Sequence, residues 1–149
     1  MEATIGVDVG VRHIAIARLD GNGKFMTYLY EVPKTNRWDE LNRLRDLLDT
    51  YVNLSDTVWI EEPPLAGMRN VRTVVQLNQT AGALMINPGR SYFVPVAKWK
   101  KHVVGKGNAT KDEVAEFLKK SFPNLYKQCD GDQNLIDATC IALYGVDMR

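Results

Sequence analysis

The run ATIGVDV (3–9), followed by RHIAIARL (12–19) and KFMTYLYEV (24–32), decides the fold. The first stretch is an almost unbroken apolar strand. In the second, His13, Ala15 and Ala17 alternate with Ile14, Ile16 and Arg18, a period of two that belongs to a strand. Asp20-Gly21-Asn22-Gly23 is a strong turn signal before the third stretch. Three strands joined by tight connections make an antiparallel meander.

Beyond the meander the period changes. Pro33 breaks the sheet, and Trp38, Leu41, Leu44, Leu48 and Tyr51 recur at helical spacing, with Asn36 as the expected N-cap and Asp39 three residues on. Residues 57–62 (TVWIEE) read as a fourth strand stopped by Pro63-Pro64. Val71, Val74, Val75, Leu77, Ala81, Leu84 and Met85 stripe a second helix that Asn87-Pro88-Gly89 ends. Residues 91–96 (SYFVPV) form a fifth strand, where Pro95 predicts an edge position or a bulge. A short basic segment, 98–104, leads to Gly105-Lys106-Gly107. Thr110 with Glu113 then forms a capping box for a helix striped by Val114, Phe117, Leu118 and Phe122. Gly131 precedes a last helix over 133–147. The order βββ-α-β-α-β-α-α predicts an α/β fold: one mixed five-stranded sheet, the meander plus parallel strands, with helices on both faces.

At 149 residues the chain reads as one domain, 1–149, large enough to bury its own core. Net charge is only +1, but it is unevenly spread. Residues 63–111 hold Arg69, Arg72, Arg90, Lys98, Lys100, Lys101, Lys106 and Lys111 and no acid at all, between a net −4 before and a net −3 after. Such a run is either a solvated face or a surface for polyanions. Cys129, in a polar stretch, and Cys140, in an apolar one, lack metal-binding or disulfide spacing. No apolar run approaches membrane-spanning length, and the first residues read as a strand rather than a signal peptide, so a cytoplasmic protein is expected.

Three acids stand in apolar elements. Asp8 closes the first strand, Glu61 the fourth, and Asp137 lies within LIDATCIAL (135–143). Asp8 alone could be a turn former beside Gly10. Glu61 tells against that, because it sits at a strand's carboxyl end, where ligands gather in sheets covered on both faces. An unpaired Asp buried in an apolar helix costs several kcal/mol or loses its charge. One shared metal site removes the anomaly. Magnesium (Mg2+) prefers carboxylate oxygens, and two such ions about 4 Å apart activate a water and stabilise the leaving oxygen of a phosphodiester.

IGVDVG (5–10), VWIEE (58–62), NVRTVVQLNQTAG (70–82), VVGKGNATKDEV (103–114) and IDATCIALYG (136–145) together resemble RuvC, the Holliday-junction resolvase family of the RNase H-like (retroviral integrase-like) nucleases. The likeness runs over nearly the whole chain; LNQTAG and VVGKGNATK are its more specific parts. It implies an RNase H-like fold and a homodimeric, Mg2+-dependent endonuclease that nicks two strands of a four-way DNA junction symmetrically, with manganese (Mn2+) able to substitute. It assigns Asp8, Glu61 and Asp137 as metal-binding and catalytic. Lys100 and Lys111 match basic positions near the scissile phosphate. Lys111, at a helix start, sits where unpaired backbone N–H groups also favour anions.

The chain departs from the family twice. The family's last helix carries a second acid three residues before the first; here that position is Asn134, which shares a helix face with Asp137 and is taken as a neutral metal ligand. Asp132, five residues away, is expected to point elsewhere. Pro63, Pro64 and Leu65 stand where the family tends to place an aromatic near the junction, so relaxed sequence preference is expected, and a phage-encoded member would suit the small size. Arg69, Arg72, Lys98, Lys100, Lys101, Lys106 and Lys111 are the candidate DNA contacts. Trp99 reads as core and His13 as structural; His102 has no assigned role. The helix near 70–86 is the candidate dimer face, since Val74, Val75, Leu77, Ala81 and Leu84 make a stripe wider than one seam needs.

Three other readings compete. A junction-binding protein that no longer cuts fits Asn134. A hydrolase of RNA–DNA hybrids or branched viral DNA fits the same fold. A sugar-kinase or actin-like ATPase shares the look of GVDVG, but needs two such domains and more residues than this chain has.

Overall fold

A computed structural model describes residues 2–10, 12–31, 37–63, 71–83 and 90–149. β1 (Ala3–Val9), β2 (His13–Asp20) and β3 (Phe25–Glu31) form the expected antiparallel meander. Its second turn closes as the sequence predicts: the Asp20 carboxylate accepts from the backbone N–H of Asn22 (2.9 Å) and Lys24 (2.8 Å), and Gly23 takes φ +79°. β4 (Thr57–Glu61) and β5 (Ser91–Val94) add to the other side of β1 in parallel, giving the strand order β3-β2-β1-β4-β5.

Helices cover both faces. On one side α1 (Arg37–Tyr51) and α2 (Val71–Ala83) bury Leu44, Leu48 and Ala81 against Ile5, Val7, Ile14, Ile16, Val58 and Ile60. On the other side α3 (Val96–Val103), α4 (Lys111–Ser121) and α6 (Gln133–Asp147) bury Trp99, Val114, Leu118, Ile141 and Tyr144 against Ala15 and Ala17. A short helix, α5 (Pro123–Gln128), links α4 to α6. This is the mixed, doubly covered sheet that the sequence predicts. Among the described residues no helix is long and apolar enough to cross a membrane.

Several local expectations need correction. The basic segment 98–104 is not a connection but most of a helix, α3. Pro95 ends β5 and caps α3 instead of lying within the strand, while β5 does sit at the sheet edge. Neither α3 nor α5 was expected as a separate helix. The α1 stripe begins packing at Leu41, because Trp38 on the first turn is 71% exposed. Cys129 is fully buried rather than in an open polar loop, and its thiol reaches the Leu125 carbonyl and the Thr139 hydroxyl. His13 is exposed at the start of β2. Pro33, Asn36, Leu65, Arg69, Leu84, Met85 and the 87–89 stop lie outside the described residues, as do the side chains of Val71, Arg72 and Val74.

Gly6 decides how close α6 comes. A Cβ at Gly6 would run into the Ala138 carbonyl and the Ala142 backbone. Without it, α6 lies directly on β1, and the residues of α6 next to Ala138 come over the end of that strand.

Candidate active site

Strand alternation places two of the three acids. In β1, Ile5, Val7 and Val9 face α1 and α2, so Gly6 and Asp8 face α6. In β4, Val58 and Ile60 face α1 and α2, so Trp59 and Glu61 face the other way. The parallel register pairs Gly6 with Trp59 and Val7 with Ile60, which leaves Asp8 and Glu61 side by side at the carboxyl ends of adjacent strands. The third acid comes from α6. Its N-cap is Asp132, whose carboxylate accepts from the Leu135 N–H at 3.0 Å, and Asp137 precedes the Ala138 that rests on Gly6.

The three carboxylates feel one another. Burial holds the Asp8 carboxyl well above the usual carboxylate range, and the charges of Glu61, Asp137 and Asp132 push it further, with Lys111 opposing. Burial raises Glu61 to about 7; the indole N–H of Trp99 opposes this at 3.0 Å, the Asp137 charge adds to it, and Lys100 opposes. Asp137 is also raised by burial, against a 3.0 Å hydrogen bond from the Gln133 amide and the charges of Lys100 and Lys111. A fourth buried acid behaves differently. Asp56 is fully buried, but it accepts from the backbone N–H of Ala3 (2.9 Å) and Asn53 (2.8 Å) and pairs with Arg18 (3.2 Å). Its burial is compensated by the fold; Glu61 and Asp137 each have one neutral hydrogen-bond donor, and all three acids of the site stay raised by burial. Their hard oxygen donors suit a divalent cation chemically. As they lie, no three His, Cys, Asp or Glu side chains among the described residues form a closed set of ligands around one point.

No family model matches the chain. A crossover junction endodeoxyribonuclease RuvC from Beijerinckia indica is 25% identical over 158 residues, covering 97% of this chain and 86% of that protein. One from Granulibacter bethesdensis is 28% identical over 149 residues, covering 93% and 83%. Among solved structures, Thermus thermophilus RuvC in complex with a Holliday junction substrate superposes with a TM-score of 0.74 at 21% identity, over 95% of this chain and 90% of that one. Another structure of T. thermophilus RuvC gives 0.68 at 19% identity, over 98% and 96%. The chain is similar to RuvC proteins over nearly its whole length. Its sheet, strand order and helical layers are those of the RuvC fold, as the sequence resemblance implies.

In this chain two of the expected basic residues act on the acids. Lys100 is half-buried; its ammonium donates to the Ala109 carbonyl at 3.0 Å, stands 5.7 Å from the Trp99 ring, and acts on Glu61 and Asp137. Lys111 opens α4, is exposed, and acts on Asp8 and Asp137. Thr110 caps that helix by accepting from the Glu113 N–H at 3.2 Å. Only half of the predicted capping box forms, because the Glu113 carboxylate turns to Lys106 at 3.2 Å. Lys106 is thus ion-paired with Glu113 on the surface. Lys98 and Lys101 are exposed on α3. His102 pairs with Asp147 at 3.0 Å and meets the edge of Tyr144, away from the acids. Asn134 is half-buried in the first turn of α6.

Sequence reasoning missed three contributors. Asp132 was expected to point elsewhere by helical spacing from Asp137. It lies outside the helix as its cap, so that spacing does not apply, and its charge reaches Asp8. Gln133 stands four residues before Asp137, a helical pairing the sequence does display. Nothing in the sequence links Trp99 to Glu61.

Proposed function

We propose that this chain is a metal-dependent endonuclease that binds four-way DNA junctions and cuts phosphodiester bonds with relaxed sequence preference. The observation that carries this reading is the meeting of Asp8, Glu61 and Asp137, all raised by burial and none held in an ion pair among the described residues, with Lys100 and Lys111 acting on them. Its similarity to crossover junction endodeoxyribonucleases, and to a RuvC seen with a Holliday junction, points the same way. Asp8, Glu61 and Asp137 would hold Mg2+, with Mn2+ able to replace it and the Asn134 amide oxygen as a neutral fourth donor. Bound there, the cations supply an activated water and charge stabilisation for the leaving oxygen. Lys111 binds phosphate at the start of α4, where the first backbone N–H groups also point outward. Lys100 offsets the negative charge of the site from the other side. Lys98 and Lys101, with Arg69, Arg72 and Lys106, steer the DNA arms.

A homodimer fits two symmetric nicks. Val75 on α2 is 48% exposed while Leu77 and Ala81 are buried, so part of the α2 stripe is left over for a partner subunit. The cytoplasm of a bacterium, or of a phage-infected cell, is the compartment we assign.

Asn134 favours a second reading, a junction-binding protein that does not cut, because it removes one charge from the site. One assay separates the readings. The protein is incubated with a synthetic four-way junction, a linear duplex and an RNA–DNA hybrid, in Mg2+, Mn2+ or EDTA. Paired nicks in the junction, dependent on metal and lost in Asp8→Asn while binding persists, support the nuclease. Tight junction binding without cleavage in either metal supports the binding protein.

A further inference from the structure

We propose that Trp99 is a positioning residue, whose buried indole N–H fixes the Glu61 carboxylate so that the second oxygen, Oε1, is presented to the cation, with Gln133 doing the same for Asp137. This rests on the reading that the three carboxylates bind a divalent cation.

Trp99 is fully buried and among the largest side chains in the core, and its neighbours there include Val94, Val114 and Leu118. Only its Nε1–H reaches out of that packing, and it donates to Glu61 Oε2 at 3.0 Å. An indole has a single donor and no acceptor, so it engages one oxygen and leaves the other outside the bond. The ring is locked by the core, and it passes that rigidity to a carboxylate at the sheet's carboxyl edge. Gln133 repeats the arrangement with Asp137 Oδ1 at 3.0 Å, from one turn earlier on α6.

Both clamps are uncharged. A lysine or arginine in either place would orient the carboxylate but cancel part of the charge that attracts a cation; a neutral donor orients without competing. Second partners of this kind are what fix ligands in metal sites generally. The protein contains its own comparison. The indole N–H of Trp59, on the same sheet face, is buried with no partner, so satisfying a buried indole is not by itself what the fold demands. The bond to Glu61 is an arrangement that Trp99 makes and Trp59 does not.

The test uses the full chain labelled with 15N-tryptophan. Trp38, Trp59 and Trp99 give three indole signals, and Trp99→Phe identifies the third by its loss. Glu61→Ala should shift the Trp99 signal and speed its exchange with solvent, leaving Trp59 unmoved. Mn2+ binding is then measured by electron paramagnetic resonance of the free ion. Trp99→Phe and Gln133→Ala should each weaken Mn2+ affinity about tenfold, with junction cleavage recovering at saturating Mn2+. A Trp99→Phe protein that keeps its other two indole signals and binds Mn2+ like the wild type overturns the proposal. If Trp99→Phe does not fold, the other two variants decide: an unmoved indole in Glu61→Ala, or unchanged affinity in Gln133→Ala, overturns it. A wild type that binds no Mn2+ sinks the functional reading itself, an outcome distinct from equal binding by wild type and variants.

Discussion

Glu61→Gln should stabilise the metal-free protein, by an amount that grows as pH rises from 4.5 to about 7 and is full above that. The carboxyl titrates near 4.5 when unstructured and at about 7 in the fold, chiefly because it is buried. Between those values the folded protein keeps a proton that the unfolded chain gives up. Stability contributed by this group is therefore full below pH 4.5, declines as pH rises through the window, and is lost above about 7. At about 1.4 kcal/mol per unit the whole shift is worth roughly 3 kcal/mol, nearer ~2 kcal/mol once partial exposure is allowed for. For a chain of this size that is about 4–8 °C in melting temperature. Glutamine has the shape of the protonated acid and still accepts from Trp99, but it cannot ionise. Thermal or urea unfolding in EDTA should show wild type and Glu61→Gln equal at pH 4.5 and the variant ahead by this margin at pH 8. Asp8 and Asp137, raised in the same direction, steepen the wild-type slope further. Saturating divalent cation should reverse the order at pH 8, since only the wild type gains a full ligand. A difference between the two proteins that does not change with pH would refute the reasoning.

Other outcomes follow from the same geometry. Lys100→Ala and Lys111→Ala should each lower the slope of log affinity for junction DNA against log salt by about one unit, and Lys106→Ala, already paired with Glu113, by less; filter binding at several salt concentrations checks this. Asn134→Asp should raise Mg2+-supported cleavage, and the unchanged protein should work better in Mn2+, which binds such sites more tightly; unchanged or lower Mg2+ activity in single-turnover assays would remove position 134 from the ligand set. Gly6→Ala should cost roughly 3 kcal/mol or more in urea unfolding, because its methyl group meets helix backbone rather than a movable side chain. A loss below about 1 kcal/mol would mean that α6 can lift off β1 at little cost.

The sequence shows most of the sheet because its strands carry their pattern locally. Asp20-Gly21-Asn22-Gly23 announces its turn, and the alternation in RHIAIARL needs no partner to be read. The α3 helix escaped because eight residues are too few for a period to show, and because Pro95, which opens it, is equally at home at a sheet edge. In the site, Asp8, Glu61 and Asp137 were legible as acids out of place in apolar elements, and the family likeness named the same three. Asp56 gave no such signal, since it precedes its strand and is buried only by what Arg18, Ala3 and Asn53 bring to it. Trp99 and Glu61 meet only after α3 docks, so their bond is a property of tertiary packing. Asp132 was misjudged for the opposite reason: helix spacing was applied one residue before the helix begins.

The seat that Gly6 makes for α6 also sets an order of events in the making of this protein. Asp8 and Glu61 leave the ribosome early, on strands that can pair at once, whereas Asp137 arrives more than half a chain later. Until residues 133–147 have emerged and settled on β1, the first two acids have no third, and the face that carries them is bare. A partly synthesised or truncated chain thus holds the strands that carry two of the acids without the helix that carries the third. Joining distant parts of the chain slows folding, and here the third acid reaches the site only through such a distant contact.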